Sequence, residues 1–149
     1  MEIALFENPD ASEIMDLLLA ADPNRAAVAA YIRDADIIVA LLDGEIIGVS
    51  VLVNYNDGFE IKNISVAEKF QGRGVGKRLI EESLCRARES GGKFVEVGTG
   101  NSSLDQLAFY QKRGFRLHRV ERDFFKSYPE PIFENGIRCL DMVRLRFDL

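Results

Sequence analysis

The chain is poor in the residues that usually announce metal, disulfide or membrane chemistry. It has one histidine, two cysteines and four prolines in 149 residues. His118 therefore has no second imidazole with which to build a histidine metal site, and reads as a structural or surface residue. Cys85 and Cys139 lack metal-type spacing, which points to reduced, cytoplasmic thiols rather than a disulfide framework. No apolar run approaches the length of a membrane span, and Met1-Glu2-Ile3 does not begin a secretory signal. Carboxylates are numerous but form no compact array, so no metal is expected. The formal charge of −5 argues against a nucleic-acid partner, which needs a basic surface, and suits a cationic substrate.

What is present fits one domain spanning residues 1–149, long enough for a substantial core. Met1–Phe6 reads as a strand broken at Asn8-Pro9-Asp10. Ser12 or Asp10 then caps a helix running to about Ala21, with Ile14, Leu17, Leu18 and Ala21 on its apolar face. A second helix covers Arg25–Arg33. The strands Ile37–Leu42 and Glu45–Tyr55 flank Asp43-Gly44, a hairpin turn, and Asp57-Gly58 leads into a third strand, Phe59–Val66.

The centre of the chain is Val66-Ala67-Glu68-Lys69-Phe70-Gln71-Gly72-Arg73-Gly74-Val75-Gly76-Lys77. Val75, Leu79, Leu84 and Ala87 make the following segment helical, up to Gly91-Gly92. Glycines at 72, 74 and 76 allow positive φ or close approach of a ligand, at the place where the first helical amides lack internal partners. A strand passing through such a turn into a helix suits the phosphates of a nucleotide-like ligand, and Arg73, Lys77 and Arg78 add positive charge. A plain tight turn is the alternative. The spacing is neither the triphosphatase loop nor the dinucleotide fingerprint.

Lys93–Val97 reads as a strand, Thr99–Ser103 as a loop, and Leu104–Arg113 as a helix stopped by Gly114. Ser103 and Gln106 have capping-box spacing. Phe115–Val120 and Arg138–Phe147 are the last strands. In the final strand, apolar Cys139, Val143, Leu145 and Phe147 alternate with Arg138, Arg144 and Arg146, a pattern of a partly exposed sheet. Residues 123–136, with Tyr128-Pro129-Glu130-Pro131, form a long loop that lines a binding site, covers an edge or makes a homodimer contact.

Gln71-Gly72-Arg73-Gly74-Val75-Gly76 matches the Gln/Arg-x-x-Gly-x-Gly/Ala signature of the GCN5-related N-acetyltransferases (GNAT). Phe109-Tyr110-Gln111-Lys112-Arg113-Gly114-Phe115 resembles that family's tyrosine-bearing helix ending in Gly-Phe. The resemblance covers nearly the whole chain. It implies an α/β fold whose mixed, centrally splayed sheet, flanked by helices, opens between Phe59–Val66 and Lys93–Val97. Acetyl-coenzyme A would lie in the opening, its pantetheine arm along the main chain of Ile64, Ser65 and Val66. Its pyrophosphate would meet the segment Gln71, Gly72, Arg73, Gly74, Val75, Gly76 and Lys77.

The resemblance further implies that Asn101 contacts the cofactor and that Tyr110 protonates the departing thiolate. Nine positions separate these two, a longer spacing than the commonest arrangement. Glu96 resembles a strand glutamate that acts as general base in some N-terminal acetyltransferases, a task for which burial or a partner must raise its pKa. Glu60, Asp141 and a water chain are the other candidates for that base. The implied activity is direct acetyl transfer to a primary amine, with a small-molecule acceptor preferred over a protein or peptide N-terminus. A coenzyme A-binding regulatory module without catalysis is the third reading.

Overall fold

The computed structural model describes residues 1–8 and 10–149; the expected break at Pro9 lies outside them. Strands β1 (Glu2–Leu5), β2 (Asp36–Leu42), β3 (Glu45–Tyr55), β4 (Gly58–Val66), β5 (Phe94–Gly100), β6 (Arg116–Glu121) and β9 (Met142–Asp148) form one seven-stranded sheet. Its order is β1-β2-β3-β4-β5-β9-β6. Among the described residues β4 and β5 are the one neighbouring pair that runs parallel, and a helical crossover joins them. A two-stranded hairpin, β7 (Phe133–Glu134) and β8 (Ile137–Arg138), stands apart.

Helices α1 (Ser12–Ala21) and α2 (Arg25–Tyr31) cover one face, where Ile14, Leu18 and Val28 pack on Ile37, Val39, Val49 and Val51. Helices α3 (Val75–Glu89) and α4 (Leu104–Lys112) cover the other. There Leu79 packs with Ile38 and Ile47, while Ile80, Leu84 and Tyr110 pack with Leu52, Ile61, Val95, Val97 and Leu145. Alternation along each strand separates the two cores. Buried Ser50 meets this pattern by hydrogen bonding Ser83 of α3 at 2.9 Å.

The expected elements are present, with local corrections. Neither Ser103 nor Gln106 forms a capping box. The Ser103 hydroxyl donates to Glu134 at 2.9 Å, and Gln106 accepts from Thr99 at 2.8 Å. Strand β5 continues to Gly100, through residues expected to be loop. The final strand begins at Met142 rather than Arg138, since the Asn101 side-chain oxygen Oδ1 accepts from the amides of Leu140 and Asp141. The long 123–136 loop contains β7 and is pinned to the rest by Ser102 and Ser103 donating to Glu134, and by Asn135 donating to the Ser102 carbonyl.

Candidate active site

Strands β4 and β5 pair over only three rungs, Phe59 with Val95, Glu60 with Glu96, and Ile61 with Val97. The next β4 residue, Lys62, is an extra one: Val51 of β3 faces Asn63 while Leu52 faces Ile61. A bulge bends its strand and increases its twist, so β4 leaves β5 beyond this point. Ile64, Ser65 and Val66 pair with Ser50, Val49 and Gly48 of β3 but have no partner on the β5 side. The opening is thus lined by main-chain groups that lack a strand. The side chains of Ile64 and Val66 pack into the core.

From β4 the chain enters a short 3-10 turn, Glu68–Phe70, and reaches α3 through the glycines. The Gln71 side-chain amide donates to the Val66 carbonyl at 3.0 Å and fastens the turn to the strand end. Gly72 and Gly74 have φ of +75° and +82°, with no neighbouring atom within 4 Å of an added Cβ. Their need is conformational, and the space over them is free. Gly76 differs: a Cβ there would stand 3.3 Å from the Phe109 ring of α4. Val75 anchors the helix in the core. The first helical bond joins the Arg78 amide to the Gly74 carbonyl, leaving the amides of Val75, Gly76 and Lys77 without helical partners. Arg73 lies over the Phe70 ring, and Lys77 lines a cleft of about 240 Å³ with Lys112 and Arg113. The arrangement is an anion cradle made of backbone, with cations at its rim.

Tyr110 is 3% exposed, on the α3–α4 face of the last paired rungs. Its ring makes edge contacts with Phe109 and Phe115. Burial raises the pKa of its hydroxyl well above the ordinary tyrosine value, so it holds its proton at neutral pH.

Glu96 is buried in β5, 1% exposed. Burial alone would push its carboxyl up, as a general base needs. The opposing hydrogen bonds from Arg146 and Arg144, and their charges, prevail and hold it below the usual carboxylate range. Arg144 donates to one Glu96 oxygen at 3.3 and 3.2 Å and to Glu60 at 2.8 Å, and Arg146 donates to the other Glu96 oxygen. The last strand is therefore not simply half exposed, since Arg144 is 5% accessible. These arginines are the site-adjacent residues that sequence reading missed. Their signal was the Arg144, Arg146 phase opposite apolar Leu145 and Phe147, together with Glu96 in an apolar strand.

Asn101 stands just past the end of β5. Its carbonyl oxygen accepts from the Leu140 and Asp141 amides at 2.9 and 3.0 Å, and its amide donates to the Arg138 carbonyl at 3.1 Å. Three contacts commit this side chain to joining the end of β5 to the segment before β9, with little capacity left for a ligand. His118 lies 4.0 Å from Glu96, and Asp141 accepts from the Asp123 amide at 2.9 Å. No group of three potential metal ligands occurs among the described residues, and no helix is long and apolar enough to cross a membrane.

An open-edged strand, a glycine turn and a helix N-terminus thus lie together around a parallel split. The Acetyltransferase (GNAT) domain model matches residues 33–117. A Bacillus subtilis acetyltransferase crystallised in complex with CoA is 44% identical, with a TM-score of 0.94 over 99% of this chain and 98% of that one. A GNAT family acetyltransferase from Elizabethkingia anophelis with acetyl-CoA bound is 42% identical, with a TM-score of 0.90 over 99% and 97%. The uncharacterized N-acetyltransferase YvbK of Bacillus subtilis (strain 168) is 45% identical over 92% of this chain and 90% of its own length. The chain belongs to the GNAT acetyltransferase family and is an enzyme of that class.

Proposed function

We propose that this enzyme transfers the acetyl group of acetyl-coenzyme A directly to a primary amine of a small molecule. The observation that carries the coenzyme is the β4 edge from Ile64 to Val66, unpaired toward β5 and continuous with the Gly72–Lys77 cradle. An extended pantetheine arm can hydrogen bond there as a strand would. The pyrophosphate then reaches the free amides of Val75, Gly76 and Lys77. Coenzyme bound in two relatives above 40% identity supports the same reading.

In the reaction, the neutral amine nitrogen attacks the thioester carbonyl and the carbon–sulfur bond breaks, giving an amide and coenzyme A. β4 amides stabilise the developing oxyanion. Tyr110 donates its proton to the leaving thiolate and regains one from the proton released by the amine. Its raised pKa keeps it in the acid form for this step. We assign removal of the amine proton to water rather than to Glu96, whose carboxylate is held by two guanidinium groups.

The preference for a small acceptor over a peptide N-terminus is supported by what lies over the end of β5. A Cβ on Gly100 would meet the Cys139 sulfur at 2.6 Å and the Phe125 ring at 3.8 Å. Phe125 is tied by its amide to the Leu140 carbonyl and clusters with Phe124 and Tyr128. This cover narrows one side of the cleft, whereas a peptide needs an open groove. The test is acetyl-CoA turnover with polyamines, aminoglycosides, amino acids and N-terminal peptides competing in one mixture, with product masses recorded. Acetylated small amines should dominate. Predominant peptide products would reverse the acceptor assignment, and absence of coenzyme A release with any amine would favour a binding module.

A further inference from the structure

We propose that β6 is the contact strand of a homodimer and pairs antiparallel with β6 of a second copy, with the two-fold axis between His118 and Arg119. Among the described residues β6 is an edge of the sheet, bonded to β9 on one side only. It is exposed from Arg116 to Val120, and two of its apolar side chains face solvent, Leu117 at 62% and Val120 at 55%. An exposed edge with apolar residues is a template for another strand.

The sequence of β6 names the occupant, because it is complementary to itself. In the proposed register Arg116 faces Glu121 of the second copy, and Leu117 faces Val120 of the second copy. A regular strand would forbid this pairing. Residues an odd number apart alternate between faces, and opposed residues must share one. Here the β6–β9 register shifts, leaving His118 as an extra residue between Leu117, opposite Leu145, and Arg119, opposite Arg144. The bulge makes the order of faces symmetric about the proposed axis. Leu117 and Val120 both lie on the side of α4, opposite Leu145 and Val143. Arg116 and Glu121 both lie on the other side, opposite Arg146 and Met142. Apolar therefore meets apolar on one face, and cation meets carboxylate on the other.

Two further features fit. Leu117 and Val120, with Leu107 and Gln111 of α4 and Val143 of β9, line an apolar groove of about 360 Å³ that a second copy would cover. Arg119 is turned to its own chain, at 2.6 Å from Glu121 and 3.1 Å from the Tyr55 hydroxyl. Glu121 keeps capacity to accept from Arg116 of the second copy, since a carboxylate serves two guanidiniums. This inference does not depend on the acetyl acceptor.

The experiment is sedimentation velocity on the full chain, with and without Leu117→Arg. The wild type should sediment as a dimer and the variant should dissociate at least tenfold more readily, with unchanged thermal unfolding as the control for folding. The register is read separately in a Cys85→Ser background. Mixed Leu117→Cys and Val120→Cys proteins should form a covalent dimer on oxidation, while neither does so alone. A monomeric wild type, a dimer indifferent to Leu117→Arg, or equal cross-linking by either variant alone would overturn the proposal.

Discussion

Glu60 on β4 stands directly opposite Glu96 on β5, one rung before the two strands part, and both are buried. Two adjacent carboxylates would repel and drive the rung apart. Arg144 spans them, at 2.8 Å from Glu60 and 3.2 Å from Glu96, and Arg146 closes the group from outside. The throat of the cleft is thus held by charge at its polar face and by Tyr110, Ile61 and Val97 at its apolar face.

Arg144→Met should therefore lower stability by about 3–5 kcal/mol, the usual cost of leaving a buried charge without its partner. Arg119→Ala, which removes an exposed ion pair, should cost less than about 1 kcal/mol. Chemical denaturation of both variants at neutral pH checks the difference. Equal stabilities would mean that the rung needs no counter-charge.

The Glu96 carboxyl titrates lower in the folded chain than in the unfolded one. The unfolded chain thus binds its proton first on acidification, and the stabilisation is complete only above about pH 4.3, the ordinary glutamate value. It declines as pH falls through the lower folded pKa. The unfolding free energy of the wild type should drop across this acid range more steeply than that of Glu96→Gln. The same variant, where folded, should keep the wild-type pKa in its kcat/KM profile near neutrality. A neutral-range limb that disappears in Glu96→Gln would restore Glu96 as the base.

Tyr110→Phe should reduce kcat by about 10²-fold or more if the hydroxyl supplies the thiolate proton. KM for acetyl-CoA should change little, because the ring keeps its contacts with Phe109 and Phe115. Burial holds the hydroxyl protonated beyond the normal tyrosine range, so the alkaline limb of the wild-type profile below about pH 10 should belong to another group. Wild-type kcat in the variant would end the role for Tyr110.

Gly74→Val should weaken coenzyme binding more than tenfold in calorimetry on folded protein. Its φ of +82° is costly for a branched residue, and the side chain would stand in the open space above the cradle. Lys69→Ala, removing a cation that lies over Phe70, should change binding less than twofold. Equal affinities in the two variants would move the phosphate site elsewhere.

Asn101→Ala should act on order rather than on coenzyme affinity. The loss of its three hydrogen bonds frees the Leu140 and Asp141 amides. Amide hydrogen exchange should then rise across residues 123–141. A selective loss of coenzyme affinity with normal protection there would return Asn101 to the binding site.

Sequence alone determined what repeats locally. Val75, Leu79 and Ala87 fall on one face of α3, and Gly72 and Gly74 occur where φ is positive, because helical period and backbone freedom are properties of neighbouring residues. The strand–glycine–helix order was legible for the same reason. Tertiary structure decided what depends on residues far apart in the chain. Glu96 became a clamped anion only because Arg144 and Arg146 arrive 48 and 50 positions later on the neighbouring strand. Asn101 became a clamp because the segment at Leu140 returns beside it. Register, which no local pattern carries, set both the Lys62 bulge that opens the cleft and the His118 bulge that gives β6 its two-fold pattern. A single shifted residue changes which face every later side chain joins.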